Sequence, residues 1–244
     1  MMARKDVFQQ TDFYVCHGTQ KGIYMKKTAG LGRRYMELAL YAFAGLGIEM
    51  LYAFLIEPLL YGVSMDKWTT GQSVIHWIVT CITWGIMAYL IIRESKEKVG
   101  FDVLKTDAKK MKLWQWLLVI LCIALLLFVK YRDWGGFKPV IEFQKLGLVK
   151  FLFQYIYYAF ETVLFMLILI FGQKACEVWF RKEKIPYGGI VVALTWGLVH
   201  ILTKGSLATG ILAAGAGFSF GVTYLLLNRD VRKVYPVLFI MFAL

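Results

Sequence analysis

Six long apolar segments, separated by short charged ones, most restrict what this sequence can fold into. They lie at about residues 36–62, 70–92, 113–129, 147–172, 187–203 and 206–227. A helix needs roughly 17–25 apolar residues to cross the hydrocarbon core of a bilayer, and lipid admits only helices and closed barrels. The sequence therefore predicts an all-α, polytopic transmembrane helix bundle of about six to seven spans.

The composition fits a membrane protein better than a soluble one. Hydrophobic residues make up 59% of the chain and charged residues 18%, whereas soluble domains have roughly 45–50% and 25%. The net charge of +12 comes from lysines and arginines between the apolar segments, where they orient helices and meet anionic lipid. We therefore expect the lipid bilayer as the main contact, and no nucleic-acid partner, because no basic soluble domain is present to bind one.

The distribution of basic residues predicts the orientation of the chain. With the N-terminus in the cytoplasm, segments 1–34, 93–112, 173–186 and 228–233 face inward and carry 21 of the 28 lysines and arginines. Cytoplasmic loops are enriched in these residues. We expect residues 1–34 to form a basic cytoplasmic arm or surface helix, residues 35–244 to form the transmembrane domain in the cell membrane, and residues 93–112 to lie on the membrane surface.

Two features of the last third concern packing. The apolar stretch from Val234 to Leu244 is about 16 Å long as a helix, roughly half a bilayer. It is either a half-helix supported by its neighbours or part of a chain that continues. Gly217 and Gly221 form a GxxxG pattern, which lets another helix approach closely. We expect this contact within the chain rather than between two copies.

The cysteines do not indicate a disulfide framework or a zinc site. Cys16, Cys81, Cys122 and Cys176 form no CxxC pair, and the middle two lie inside apolar segments. Small apolar fillers are the expected role of such residues. We expect neither a metal nor another cofactor.

Ionisable residues inside the spans are the best indicators of function, because lipid admits them only where they face protein or water. Four qualify, namely Glu49, His76, Glu161 and His200. Glu49 lies deep and is either a structural acid, the partner of a buried donor, or functional. His76 is close enough to the end of its span to reach the interface. Glu57, near the outer end of the first span, needs no special role.

Glu161 and His200 form the most informative pair. Glu161 lies mid-span among aromatic residues, and His200 shares a helical face with Trp196 four residues earlier. A Glu and a His on adjacent helices can hold a catalytic water or contribute to a metal site, although zinc needs at least three protein ligands. The alternative is a buried Glu–His hydrogen bond that fixes helix register. Depth in the membrane predicts that His200 pairs with Glu161 rather than with Glu177.

The stretch from Pro186 to His200, PYGGIVVALTWGLVH, resembles the second motif of the CPBP intramembrane proteases. This family is also called the CAAX-protease and bacteriocin-processing, or Abi, family. The motif is an aromatic residue followed after three residues by His. The similarity covers about residues 150–244 and continues through the Gly-rich segment and the basic turn 229–233. It implies the family's fold, in which a glutamate activates water and histidines position it or stabilise the oxyanion.

The family's first motif, EExxxR, is incomplete in either register. The register that begins at Glu161 keeps the first Glu but has Thr and Met in place of the second Glu and the Arg. The register that begins at Cys176 keeps Glu177 and Arg181 but has Cys in place of the catalytic Glu. The resemblance thus implies Glu161 and His200 as catalytic residues, with Glu177 and Arg181 as the alternative.

The final motif, HxxxN or HxxxD, has Met241 where its His belongs, so the resemblance implies the fold more than the activity. Whether the chain is an enzyme stays open. The resemblance implies either a divergent protease or a non-catalytic relative that binds a peptide or a membrane-protein partner. The alternatives are a transport or channel component with Glu49, Glu161 and His200 along a polar path, and a structural subunit of a membrane complex. An open polar pocket that joins Glu161 and His200 would favour the CPBP-like protein.

Overall fold

A computed structural model describes residues 30–105 and 110–244. Seven helices, one short 3₁₀ helix at Met65–Lys67, and no strand are present in this part of the chain. They are α1 (Gly30–Tyr61), α2 (Thr70–Val99), α3 (Leu113–Trp134), α4 (Lys138–Phe180), α5 (Tyr187–Lys204), α6 (Leu207–Leu226) and α7 (Val231–Ala243). The first six are long and apolar enough to cross a membrane. The predicted all-α transmembrane bundle is therefore confirmed, and the protein is a multi-pass membrane protein.

Most helix starts lie close to the predicted ones, but several helices are longer than predicted, and α4, for example, ends at Phe180 instead of about residue 172. Residues 30–34 of the expected arm begin α1, and residues 1–29 lie outside the described residues. Helix α2 continues to Val99, past the predicted end, because Arg93 and Glu97 pair at 2.8 Å one turn apart on its surface. Helix α4 starts nine residues early and contains one break, at Gly147, where φ is 70° and ψ is 172°.

Helix α4 lies at the centre of the bundle. From Leu164 to Gln173 every side chain is buried, so no face of this part of the helix reaches lipid. Helices α2, α5 and α7 pack around it. In contrast, α3 lies at the periphery, where Leu117 and Phe128 are 59% and 63% exposed. The bundle therefore has one fully enclosed helix and a lipid-facing wall.

Helices α5 and α6 form a hairpin that is held close by small residues. A Cβ atom added to Gly221 would lie 2.4 Å from Gly189 Cα, and one added to Gly217 would lie 2.9 Å from Ala193 N. Backbones approach this closely only where a side chain is absent. The prediction that the GxxxG pattern packs within the chain is confirmed.

The end of the bundle that carries the Arg229 turn is held by polar contacts. Arg229 pairs with Glu177 at 2.6 Å, and Gln115 donates to the Leu226 carbonyl at 2.7 Å. Asp230 accepts a hydrogen bond from Arg232 N at the start of α7, and Lys233 holds the pKa of the Asp230 carboxyl below its usual value. Lys174 Nζ also lies 5.3 Å from the centre of the Phe101 ring, so segments 93–105, 173–186 and 228–233 share one end of the bundle.

Candidate functional site

A cavity of about 600 Å³ lies at the opposite end of the bundle, among α1 to α6 and the tip of α7. We call it the chamber. Its polar lining consists of Glu49, Ser73, His76, Lys130, Asp133, Lys138, Glu142, Lys150, Gln154, Tyr157, Tyr158, Glu161, His200, Thr203, Lys204 and Thr209, and the rest of the wall is mainly aromatic and aliphatic. Many ionisable side chains in one cavity within a helix bundle are typical of a functional site in a membrane protein.

The chamber contains both residues of the predicted pair, and Trp196 lies between them. Glu161 accepts a hydrogen bond from the Trp196 indole N–H at 2.8 Å. The Nδ1 atom of His200 lies 2.8 Å from the Trp196 carbonyl oxygen, so Nδ1 is the donor, and Nε2 of a neutral ring keeps its lone pair. Within the described residues no hydrogen bond or ion pair joins Glu161 to His200 directly. The prediction that His200 pairs with Glu161 is therefore wrong, because Trp196 provides the hydrogen-bond partner of each side chain.

The local structure of α5 explains how Trp196 reaches this position. Residues Ala193–Gly197 form a π-helical turn, a feature that re-aims side chains and is common at functional sites. The indole is only 6% exposed and packs against the rings of Phe165, Phe220 and Phe242 with centroids 5.3, 6.1 and 5.5 Å away. These aromatic neighbours fix the direction of the indole N–H.

A second polar group of the chamber joins α1 to α2. His76 is 3% exposed; its Nδ1 lies 2.6 Å from Glu57 and its Nε2 lies 3.5 Å from Glu49. The prediction that His76 reaches the membrane interface is therefore wrong. The prediction that Glu57 needs no special role is also wrong, because Glu57 pairs with His76 inside the bundle. Of the alternatives for Glu49, the structure supports the partner of a buried donor. Polar pairing inside the bundle removes the cost of exposing these groups to lipid.

A third polar group lies at the start of α4. The Glu142 carboxylate is 3% exposed; it is 3.2 Å from Lys138 Nζ and accepts hydrogen bonds from Tyr158 at 2.7 Å and Tyr155 at 3.0 Å. The break at Gly147 lets residues 138–146 fold against the longer part of α4, which brings Glu142 next to tyrosines more than ten residues later. This buried carboxylate is fully paired.

Lysines of the chamber also hold the last turn of α7. Lys130 donates to the carbonyls of Met241, at 2.7 Å, and Phe242, and Lys138 donates to the Ala243 carbonyl at 3.0 Å. The last carbonyls of a helix have no partner within it, and cations at this end also interact favourably with the helix dipole. The last described turn of α7 is thus supported by side chains of α3 and α4.

The alternative catalytic residues lie elsewhere. Glu177 pairs with Arg229 at 2.6 Å and accepts from Gln173 at 2.8 Å, at the end of the bundle away from the chamber. Arg181 is exposed, just after the end of α4, with φ at 56°. Neither residue lines the chamber. The structure does not bring them together with His200.

Sequence reasoning missed the chamber's lysines and Glu142. Four of the seven basic residues expected in outer loops line the chamber, namely Lys130, Lys138, Lys150 and Lys204. Their position at the ends of spans made them look like solvated flanking charges. The i, i+4 pair of Lys138 and Glu142, directly before an aromatic-rich segment, was the available signal.

No group of three or more His, Cys, Asp or Glu side chains that could hold a metal ion occurs in residues 30–105 and 110–244. No protein-family model, curated protein or solved structure matches this chain. The case for a function therefore rests on the chamber and its contacts.

Proposed function

We propose that the chain is a CPBP-like membrane protein whose chamber binds a peptide segment of a membrane partner without cleaving it. The observation that carries this proposal is that Glu161 and His200 line one polar cavity. A structural subunit needs no such cavity. A transporter often shows two similar halves or broken spans; α4 is broken at Gly147, but the sequence shows no two similar halves. An open site around the pair therefore favours the CPBP-like protein.

The chemistry of the chamber suits a peptide. Its volume of about 600 Å³ lies in the range of roughly 300–1,000 Å³ that is common for binding pockets. Tyrosine hydroxyls, lysines and carboxylates supply donors and acceptors for main-chain groups, and aromatic rings supply contacts for apolar side chains. The hold of Lys130 and Lys138 on the carbonyls of α7 is an internal example of this type of recognition.

Binding without cleavage is favoured by the state of the residues that would catalyse hydrolysis. The indole of Trp196 occupies a carboxylate oxygen of Glu161. The positions of the family's Arg and second His hold Met166 and Met241, which supply neither charge nor a proton. Removal of such groups costs orders of magnitude in rate.

We also propose that the Arg229 end of the bundle faces the cytoplasm, which places the N-terminus inside and the chamber in the outer half of the cell membrane. The excess of basic residues at that end supports this orientation. In a variant without the native cysteines, an impermeant thiol reagent on intact cells is expected to label Lys145→Cys and to spare Lys96→Cys. Labelling of Lys96→Cys but not of Lys145→Cys would indicate the opposite orientation of the chain.

The occupant of the chamber is tested by photo-crosslinking in native membranes. Benzoylphenylalanine replaces Met50, which lines the chamber, or Leu121, which is 51% exposed on the lipid-facing side of α3. Mass spectrometry then identifies the chemistry of each adduct. We expect peptide adducts at Met50 and lipid adducts at Leu121. Only acyl-chain adducts at Met50 would contradict the proposal.

A divergent protease is the second candidate, because Glu161 and His200 lie in the same chamber and His200 keeps Nε2 available as a base. Hydrolysis in ¹⁸O-labelled water places ¹⁸O in the new C-terminal carboxylate of a cleaved peptide. We expect no incorporation above the level of the Glu161→Gln variant. Incorporation of ¹⁸O that disappears in both Glu161→Gln and His200→Ala would indicate that the protein is a protease and would contradict binding without cleavage.

A further inference from the structure

Within the described residues, Trp196 is the one that forms hydrogen bonds with both Glu161 and His200, and it does so through two different groups. The side-chain indole N–H donates to Glu161, and the main-chain carbonyl accepts from His200. The Trp196 and His200 rings also lie 4.6 Å apart, so Trp196→Phe removes the hydrogen bond to Glu161 but keeps the main-chain hydrogen bond to His200 and an aromatic ring beside it. The two contacts can be separated by substitution.

The indole supplies the one hydrogen bond that Glu161 makes to another described residue. Glu161 is 8% exposed and lines the chamber. A buried carboxylate needs a donor, because an unpaired one is costly in a medium of low polarity. A molecule that displaces the indole from Oε1 of Glu161 does so without a cost only if it supplies a donor in its place.

We infer that Trp196 is a positioning residue. Its indole N–H occupies the hydrogen-bonding position on the Glu161 carboxylate that an N–H group of the ligand takes when the ligand binds. The indole N–H and a peptide N–H are both neutral nitrogen donors with the same preferred distance to oxygen, so one can replace the other. That the ligand is a peptide rests on the proposed function. That the Trp196 indole covers the Glu161 carboxylate follows from the position of Trp196 alone and does not depend on what the ligand is.

The inference is tested by the reactivity of Glu161 toward dicyclohexylcarbodiimide, an apolar reagent that modifies accessible carboxyl groups. The full chain is purified in detergent, and modification of Glu161 and Glu142 is measured by mass spectrometry. Trp196→Phe keeps an aromatic ring but removes the N–H donor and part of the cover. We expect Glu161 to react about tenfold faster, since a hydrogen bond to a charged group is lost, while modification of Glu142 stays constant.

Trp84→Phe is the matched control. Trp84 is 1% exposed, lines the same chamber and donates its indole N–H at 2.8 Å, but to the Gly45 carbonyl. Its substitution loosens the bundle to a similar degree, which the melting temperature records, and it should leave the reactivity of Glu161 unchanged. An unchanged rate in Trp196→Phe, or an equal increase in Trp84→Phe, would overturn the inference.

A probe with main-chain donors tests the exchange of N–H groups. N-acetylphenylalanine amide should slow the modification of Glu161 in Trp196→Phe and have less effect on the parent protein, where the indole competes. Lack of protection in the variant would overturn the exchange. Peptide adducts at Met50 with an unchanged rate in Trp196→Phe would defeat the inference and leave the proposed function standing. Faster modification of Glu161 in Trp196→Phe without peptide adducts at Met50 would support the inference and defeat the proposed function.

Discussion

The close contact between α5 and α6 predicts that a single methyl group at Gly221 destabilises the protein. A Cβ atom there would lie 2.4 Å from Gly189 Cα and 2.5 Å from Gly189 N, whereas carbon atoms in favourable contact are about 3.5–4.0 Å apart. Both atoms belong to the backbone, so no side-chain rotation relieves the overlap. The two helices must separate by about 1 Å, which reduces the packing along the whole hairpin.

The expected cost of Gly221→Ala follows from this geometry. Overpacking of a well-packed site costs about 1–3 kcal/mol, and a clash between two backbones belongs at the upper end of this range. A chain of this length loses roughly 2–4 °C in melting temperature per kcal/mol. We therefore expect a decrease of roughly 5–10 °C in detergent, measured by intrinsic fluorescence during heating.

Gly215→Ala is the control in the same helix, because nothing lies within 4 Å of a Cβ atom added to Gly215. Alanine has a higher helix propensity than glycine, by roughly 1 kcal/mol in water, so this variant should be as stable as the parent or more stable. Equal melting temperatures for Gly221→Ala and Gly215→Ala would refute the close approach of the two helices.

Two further predictions concern buried and capping carboxylates. Glu57→Ala removes the carboxylate 2.6 Å from Nδ1 of His76 and leaves Glu49 at 3.5 Å from Nε2. A buried polar group that loses its partner costs about 1–3 kcal/mol in the free energy of unfolding, so we expect a loss of this size, against little change for Glu97→Ala, whose ion pair is exposed; similar losses would contradict the role of burial. Asp230→Ala removes the N-terminal cap of α7 and should cost about 1 kcal/mol. Because Lys233 lowers the pKa of Asp230, the parent protein and Asp230→Ala should become equally stable only below the usual carboxyl pKa of about 3.9. A pH series of melting curves measures this, and a difference in melting temperature that vanishes above that pH would contradict the ion pair.

The spans could be predicted from the sequence because bilayer thickness fixes the length of an apolar segment. The exception is the start of α4, where Lys138 and Glu142 interrupt the apolar pattern. Polarity normally marks the end of a span. Here the charges face an internal chamber instead of water, and no pattern within one segment distinguishes the two situations.

The candidate site could be predicted only in part. Glu161 and His200 were found because each is ionisable and deep within an apolar segment. The position of Trp196 between them depends on the π-helical turn at Ala193–Gly197, which a period of 3.6 residues does not predict. The pairing of His76 with Glu57 depends on how α1 and α2 face each other, and that is a property of the assembled bundle.

The enclosed position of α4 has a consequence for the order of assembly during synthesis. Helix α4 leaves the ribosome before α5 and α7, which cover it. At that stage Glu161 has no contact with Trp196, which follows 35 residues later, and Lys138 has no contact with Ala243, which follows 105 residues later. Polar groups of the central helix thus enter the membrane before their final partners exist. Residues after α4 supply these partners, so a nascent chain that stalls before α5 holds Glu161 without the donor that it has in the folded bundle.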